Sequence, residues 1–238
     1  MSESDLFSGV RPKGQSESFR AIYRDYLRQL AELDLSDRAA RLKCALQSGE
    51  DTGEKDSTES ADAAPELLIP LFGLSYGVSS QGIRTPSGET PLHAESVLLS
   101  RYVLLAPLNP PRQEDWLAFK DFRDAAPFAG AFSVQVEKAL ADDFSGRAEA
   151  LEGACNSLQG EETDLDLTYT LCREFPALPG IRLLLLFNDR DEEFPAEAKI
   201  LFPDNAAAFL DMECLAILGW LLKDFLRLAS GGTGTSIM

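Results

Sequence analysis

The sequence predicts an α+β fold, a mostly antiparallel sheet covered by helices on one face, with a long terminal core helix. Three observations predict it. Apolar residues recur at three- and four-residue steps from Phe19 to Leu33 and crowd the run LAILGWLLKDFLRL near the end, the pattern of helices that bury a face. Between them, Leu165 to Pro176 alternates apolar and polar residues, and IRLLLLF and AKILF follow as two more short apolar runs, the signature of strands. Helical and strand segments come in blocks rather than in βαβ alternation, which favours an antiparallel sheet with segregated helices.

In chain order, residues 1–17 are polar and read as a disordered N-terminus, and residues 18–229 as one α+β domain. Its first helix carries Phe19, Ile22, Tyr23, Tyr26, Leu27, Leu30 and Leu33 on one face. A second helix or turn, capped by Ser36 or Asp37, is expected to run to about Leu46. Residues 47–66 contain seven acids, one lysine, no aromatic and no β-branched aliphatic residue, the composition of a disordered acidic loop. Leu67 to Ser80 reads as two short strands about Gly73, and QGIRTPSGE as a turn-rich loop. Thr90 is expected to cap a helix with Pro91 at its first position, continuing to Ala106. Trp116 and Phe119 mark a short half-buried strand or turn.

Gly130 to Gln159 reads as two helices broken near Asp143 to Gly146 and stopped by Gly160. The three strands then lead to a helical region from Asn205 to Ser230, apolar on most sides, with Trp220 buried in it. Residues 230–238 read as a disordered tail.

The formal charge is −17, from 39 acidic and 22 basic residues, which repels polyanions and argues against nucleic acid and anionic membrane surfaces as partners. About a third of that charge belongs to residues 47–66, so much of it is local and solvated. The most apolar stretch, Cys214 to Leu222, is nine residues long, short of the ~20 that a membrane-spanning helix needs. The first 15 residues hold no apolar core of a signal peptide. Cys44, Cys155, Cys172 and Cys214 lie 111, 17 and 42 residues apart. With no Cys-x-x-Cys pair and one histidine, they form no readable zinc or iron-sulfur set and fit reduced thiols of a cytoplasmic protein.

Four places invite a chemical reading. Gly73-Leu74-Ser75-Tyr76-Gly77 matches the Gly-x-Ser-x-Gly of a hydrolase elbow, but no helix follows and the sole histidine, His93, lies 18 residues on, so a hairpin is the expectation. His93 falls in the first turn of a helix, where the dipole keeps imidazole neutral; a surface or half-buried role is expected, with an axial cofactor ligand as the functional alternative. GGTGTS near the end lacks the strand and helix that would make it a phosphate loop. Asp189, Asp191, Glu192 and Glu193 crowd the link between the last two strands. An EF-hand is excluded by Phe194 at its sixth position and Ile200 at its twelfth. What stays open is a looser magnesium or calcium site, or a solvated turn with Phe194-Pro195 tucked back as an apolar plug.

From Tyr23 to about Leu228 the order of residues resembles the domain of unknown function 3786, a family found mainly in anaerobic bacteria and archaea. The resemblance rests on LLIPLFGLSYGV, ESVLLSRYVLLA, WLAFKDF, FPALPGIRLLLLF, DEEFPAEAKILF and DMECLAILGWLL. It implies a link to cysteine-rich iron-sulfur proteins and corrinoid one-carbon metabolism, although this chain carries no cysteine-rich module. The function expected is that of a soluble, non-catalytic accessory or binding protein with an iron-sulfur or corrinoid protein partner. The competing reading is a small metal-dependent hydrolase or transferase using the Asp189 to Glu193 acids. No cofactor is required by the sequence.

Overall fold

The computed structural model describes residues 17–47, 64–163, 165 and 168–232; the predicted disordered segments lie largely outside these. It confirms an α+β fold, with two antiparallel sheets rather than one. The first sheet has the order β1(Ala45–Gln47), β2(Glu66–Leu71), β3(Leu74–Ser79), β4(Gly82–Arg84). Helices α1(Glu17–Ala31) and α2(Leu35–Leu42) pack against it. The cap of α2 is Asp34, whose carboxylate accepts from the Ser36 and Asp37 amides, so the predicted caps are the residues being capped. This helix ends at Leu42, and Ala45–Gln47 is a strand, because Lys43 takes a left-handed conformation that stops it.

β4 arises within the predicted loop. Its three residues pair with Gly77 to Ser79, and its Ile83 amide donates to the Tyr23 hydroxyl of α1 at 2.9 Å. Next, α3(His93–Leu105) begins three residues after the expected cap Thr90. Glu95 serves the helix start instead, accepting the Leu92 amide at 2.7 Å.

The second sheet runs in the order β5(Trp116–Ala118), β9(Glu197–Pro203), β8(Ile181–Asn188), β7(Leu171–Leu178), β6(Glu161–Glu162). One face turns Phe175, Leu183, Leu185, Phe187, Ile200 and Phe202 into the core. Against it lie α4(Ala126–Phe132), a π segment over Ser133–Lys138, α5(Ala139–Phe144), α6(Ala148–Ser157) and α7(Met212–Ala229). The other face places Leu184 and Leu186 between Glu174, Arg182 and Lys199, whose long side chains rim it. Helices thus cover one face of this sheet, as expected. The sheets meet where β7 bulges at Ala177: its carbonyl accepts the Phe72 amide at 3.0 Å.

Core packing centres on α7, buried along Leu221 to Leu226. Gly219 gives the Phe132 ring its place, since a Cβ there would stand 2.6 Å from it. Phe132 in turn stacks on Phe119 at 4.4 Å. Trp220 is only half-buried, contrary to expectation, and the Lys223 ammonium sits 5.1 Å from its ring centre. The wider π turn frees backbone carbonyls from the helical ladder, and Lys223 Nζ reaches the Gln135 oxygen at 3.5 Å. Glu137, in the same turn, accepts the Ile200 amide at 3.4 Å where β5 no longer flanks β9.

Candidate functional site

Ser75 lies exposed on β3, paired opposite Pro70, and is not at a strand-to-helix elbow. Of the motif's glycines, Gly73 has φ +81° at the hairpin tip. Gly77 instead leaves room for Glu66, whose carboxyl carbon would stand 2.3 Å from a Cβ there, and Glu66 pairs with Arg84 across it at 2.8 Å. His93 is the first residue of α3, half-exposed, and partial burial pushes its imidazole below the ordinary value. Two residues on is a group that no motif marks. Glu95 is 5% exposed, and its carboxylate accepts the Tyr76 hydroxyl at 2.7 Å as well as the Leu92 amide. Burial, then the adjacent Glu95, pushes the Tyr76 phenol far above its usual range. The pair joins sheet to helix; its one signal in the sequence is a glutamate in the first turn of the helix.

All four cysteines are free thiols. Burial pushes Cys44 up to about 11 and Cys155 up to about 12, and raises Cys172 and Cys214 too. Thiols so shifted remain protonated near neutral pH and are poor nucleophiles.

The acidic residues occupy the β8–β9 loop, and His93 stands on a different element, α3. Asp189 Oδ1 accepts the Gly146 amide at 2.6 Å, and the Asp189 amide donates to Thr170 Oγ1 at 3.1 Å. Asp191 Oδ1 accepts the Glu193 and Phe194 amides at 2.8 and 2.7 Å, and the Asp191 amide donates to the Phe194 carbonyl at 3.0 Å. These bonds to Phe194 and Glu193 hold the Asp191 carboxyl below the usual range, because they favour its charged form. Among the described residues, no three His, Cys, Asp or Glu side chains gather as a metal-holding group.

Changing Asp189, Asp191, Glu192 and Glu193 to Asn or Gln keeps the acceptor oxygens and removes the charge. We expect a melting temperature unchanged within about 2 °C, with or without calcium, magnesium or chelator. A rise on adding metal, seen only in the parent and equal to about 2.7 kcal/mol at a hundredfold excess over the dissociation constant, would establish a cation site.

The loop's closure sets Phe194 in water. Its side chain is 67% exposed, so the predicted apolar plug is overturned. With its amide and carbonyl both tied to Asp191, the residue sits on the outer side of the turn. At the same end of the sheet, Thr170 bonds the base of the loop through Asn188 and Asp189. Tyr169 and Leu165 are 37% and 43% exposed there, and with Arg173 they line a polar cleft of about 390 Å³. That guanidinium, 10% exposed, is held by Glu152 at 2.7 Å and Glu162 at 3.4 Å.

This arrangement, an aromatic fixed in solvent among carboxylates at one end of the sheet, falls within a segment that matches a family model. Residues 34–224 match the model described as Domain of unknown function (DUF3786). The chain belongs to the DUF3786 family. No curated protein and no solved structure matches it. The DUF3786 match takes in both sheets, the acidic loop and α7 as far as Asp224. None of the described helices of this DUF3786 protein is long and apolar enough to cross a membrane.

Proposed function

We propose that this protein is a non-catalytic accessory protein that docks on a partner through the Phe194 end of the five-stranded sheet. The observation that carries the reading is Phe194 itself, two-thirds exposed on a loop closed by hydrogen bonds. A large apolar side chain left in water forgoes ~1.5 to 3 kcal/mol of burial. Held in one backbone geometry, it loses little further freedom on binding, and aromatic anchors of this kind dominate interfaces. The carboxylates of Asp189, Asp191, Glu192 and Glu193 beside it favour a partner with a basic rim around an apolar pocket.

Four protonated thiols favour a reducing, cytoplasmic setting. Family resemblance directs the search for a partner to corrinoid and iron-sulfur proteins of one-carbon metabolism in anaerobes.

The test is binding of the purified protein to a corrinoid protein and to an iron-sulfur protein of one-carbon metabolism from the same host, followed by biolayer interferometry at low and high salt. Phe194→Ser is expected to weaken binding at least about tenfold, ~1.4 kcal/mol, with an unchanged melting temperature, and added salt to slow association. Equal binding by parent and variant would remove Phe194 as the anchor. Failure of both candidates to bind the parent would overturn the partner assignment.

A further inference from the structure

We propose that the cleft where the two sheets meet binds a neutral, planar nitrogen heteroaromatic ring. This cleft, about 500 Å³, lies between the β2–β3 turn and the β7–β8 turn, within the ~300 to 1,000 Å³ of small-molecule sites. It sits at the opposite end of β8 from the Phe194 loop, roughly 23 Å away at the rise of an extended strand, and does not depend on the docking surface.

Its walls are mostly apolar. Pro70, Pro176 and Pro179 line it, and pyrrolidine rings offer rigid apolar faces without backbone donors. Two side-chain amides, Gln113 and Gln159, complete the lining, and among the described residues neither amide is hydrogen-bonded to the protein. Gln159 is held there by the end of α6. Its φ is +57°, in the left-handed region, the closing position of a helix cap in which its backbone amide donates to the Asn156 carbonyl at 3.3 Å and the Gly160 amide to the Cys155 carbonyl at 2.8 Å. Opposite it, Gly73 has no side chain, and a Cβ would meet the Gln159 amide carbon at 2.6 Å. The helix end and the glycine of the hairpin turn together lay one amide over that turn.

The charge in the cleft is already balanced. Arg182, the cation among the described lining residues, is paired with Glu161 at 2.9 Å and with Glu174, so it is already engaged, and the two glutamates repel a phosphate or carboxylate. Rigid apolar walls take the faces of a ring. Paired donors and acceptors on Gln113 and Gln159 match the edge of a purine, pteridine or isoalloxazine. A site of this kind distinguishes a neutral nucleoside-like ligand from its phosphate ester.

Isothermal titration of the full chain with guanosine, riboflavin and their 5′-monophosphates tests the assignment. At least one neutral compound is expected to bind with a dissociation constant under about 100 µM, and its monophosphate about tenfold or more weaker. Gln113→Leu and Gln159→Leu are each expected to lose about tenfold or more, since an unmatched polar edge is left against apolar carbon. Phe194→Ser should bind as the parent does. Gln113 is exposed in a loop, so its variant reads the site even if Gln159→Leu disturbs the turn. No saturable binding of either neutral compound, or binding that Gln113→Leu leaves unchanged, overturns the proposal.

Discussion

Phe72→Ala is expected to lower the melting temperature by roughly 10 °C, the outcome of losing ~3 to 5 kcal/mol in a chain of this size. Phe72 and Gly73 form a two-residue hairpin turn with φ +49° and +81°. Such turns favour Asn-Gly, because positive φ crowds a Cβ, and a bulky residue there is strained by ~1 to 2 kcal/mol. The compensation is visible in the core. The ring is 1% exposed and meets Phe225 of α7 edge-on at 5.7 Å, while its amide holds the Ala177 carbonyl. Alanine keeps the strain and loses the ring, so nothing offsets the cavity. Phe72→Asn relieves the backbone but still empties the space, and should melt between alanine and the parent. A drop of less than about 3 °C for alanine, under ~1 kcal/mol, would mean that the ring contributes little to the core.

The second large effect is expected at Lys223 and Asp224, whose side chains are 5% and 7% exposed and whose Nζ and Oδ1 stand 3.2 Å apart. Desolvating two charges is expensive, and their attraction offsets that only while both are present. Asp224→Ala or Lys223→Met alone should therefore cost ~3 to 5 kcal/mol, each taking the ion-pair partner from a buried charge. The double variant Lys223→Met with Asp224→Leu should recover most of the loss and finish within about 1 kcal/mol of the parent, or above it. Denaturant melts of all four proteins give the coupling directly. Single variants that each lose less than about 1 kcal/mol would show that water reaches the pair.

Much of the fold is legible in the sequence because its cues are periodic. The strand expected over Leu165 to Pro176 begins only at Leu171, and from there to Ala177 buried and half-buried positions alternate without a break, Arg173 taking one of the buried places. The β8–β9 hairpin and α7 are likewise where the apolar runs place them. What resists reading is local competition. In LDLSD three residues can each cap a helix, and Asp34 wins because its carboxylate reaches two amides at once. Gly82-Ile83-Arg84 is too short to show a period, and becomes a strand through its ladder to β3 and the Tyr23 hydroxyl. The site is harder still. Phe194 is apolar and next to proline, which reads as burial, yet its exposure is set by Asp191 closing the turn. Lys223 and Asp224 read as the polar edge of α7, although helices enclose that edge. The bulge at Ala177 leaves no mark in composition, and α6 closes on a left-handed Gln159, one residue before the glycine expected to stop it.

The place of α7 in the chain bears on how the protein is made. It packs on α3, α4 and α6, yet it follows every one of them in sequence. At ~5 to 20 residues per second of synthesis, the apolar faces of those helices wait several seconds for the element that covers them. The two hairpins can close early, being local, but a nascent chain stalled before Met212 would present Phe132, the Phe72 ring that Phe225 later meets, and the inner face of β8 to the ribosome's surroundings. Such a chain is a natural client for holding chaperones, and release of α7 is the moment at which it ceases to be one.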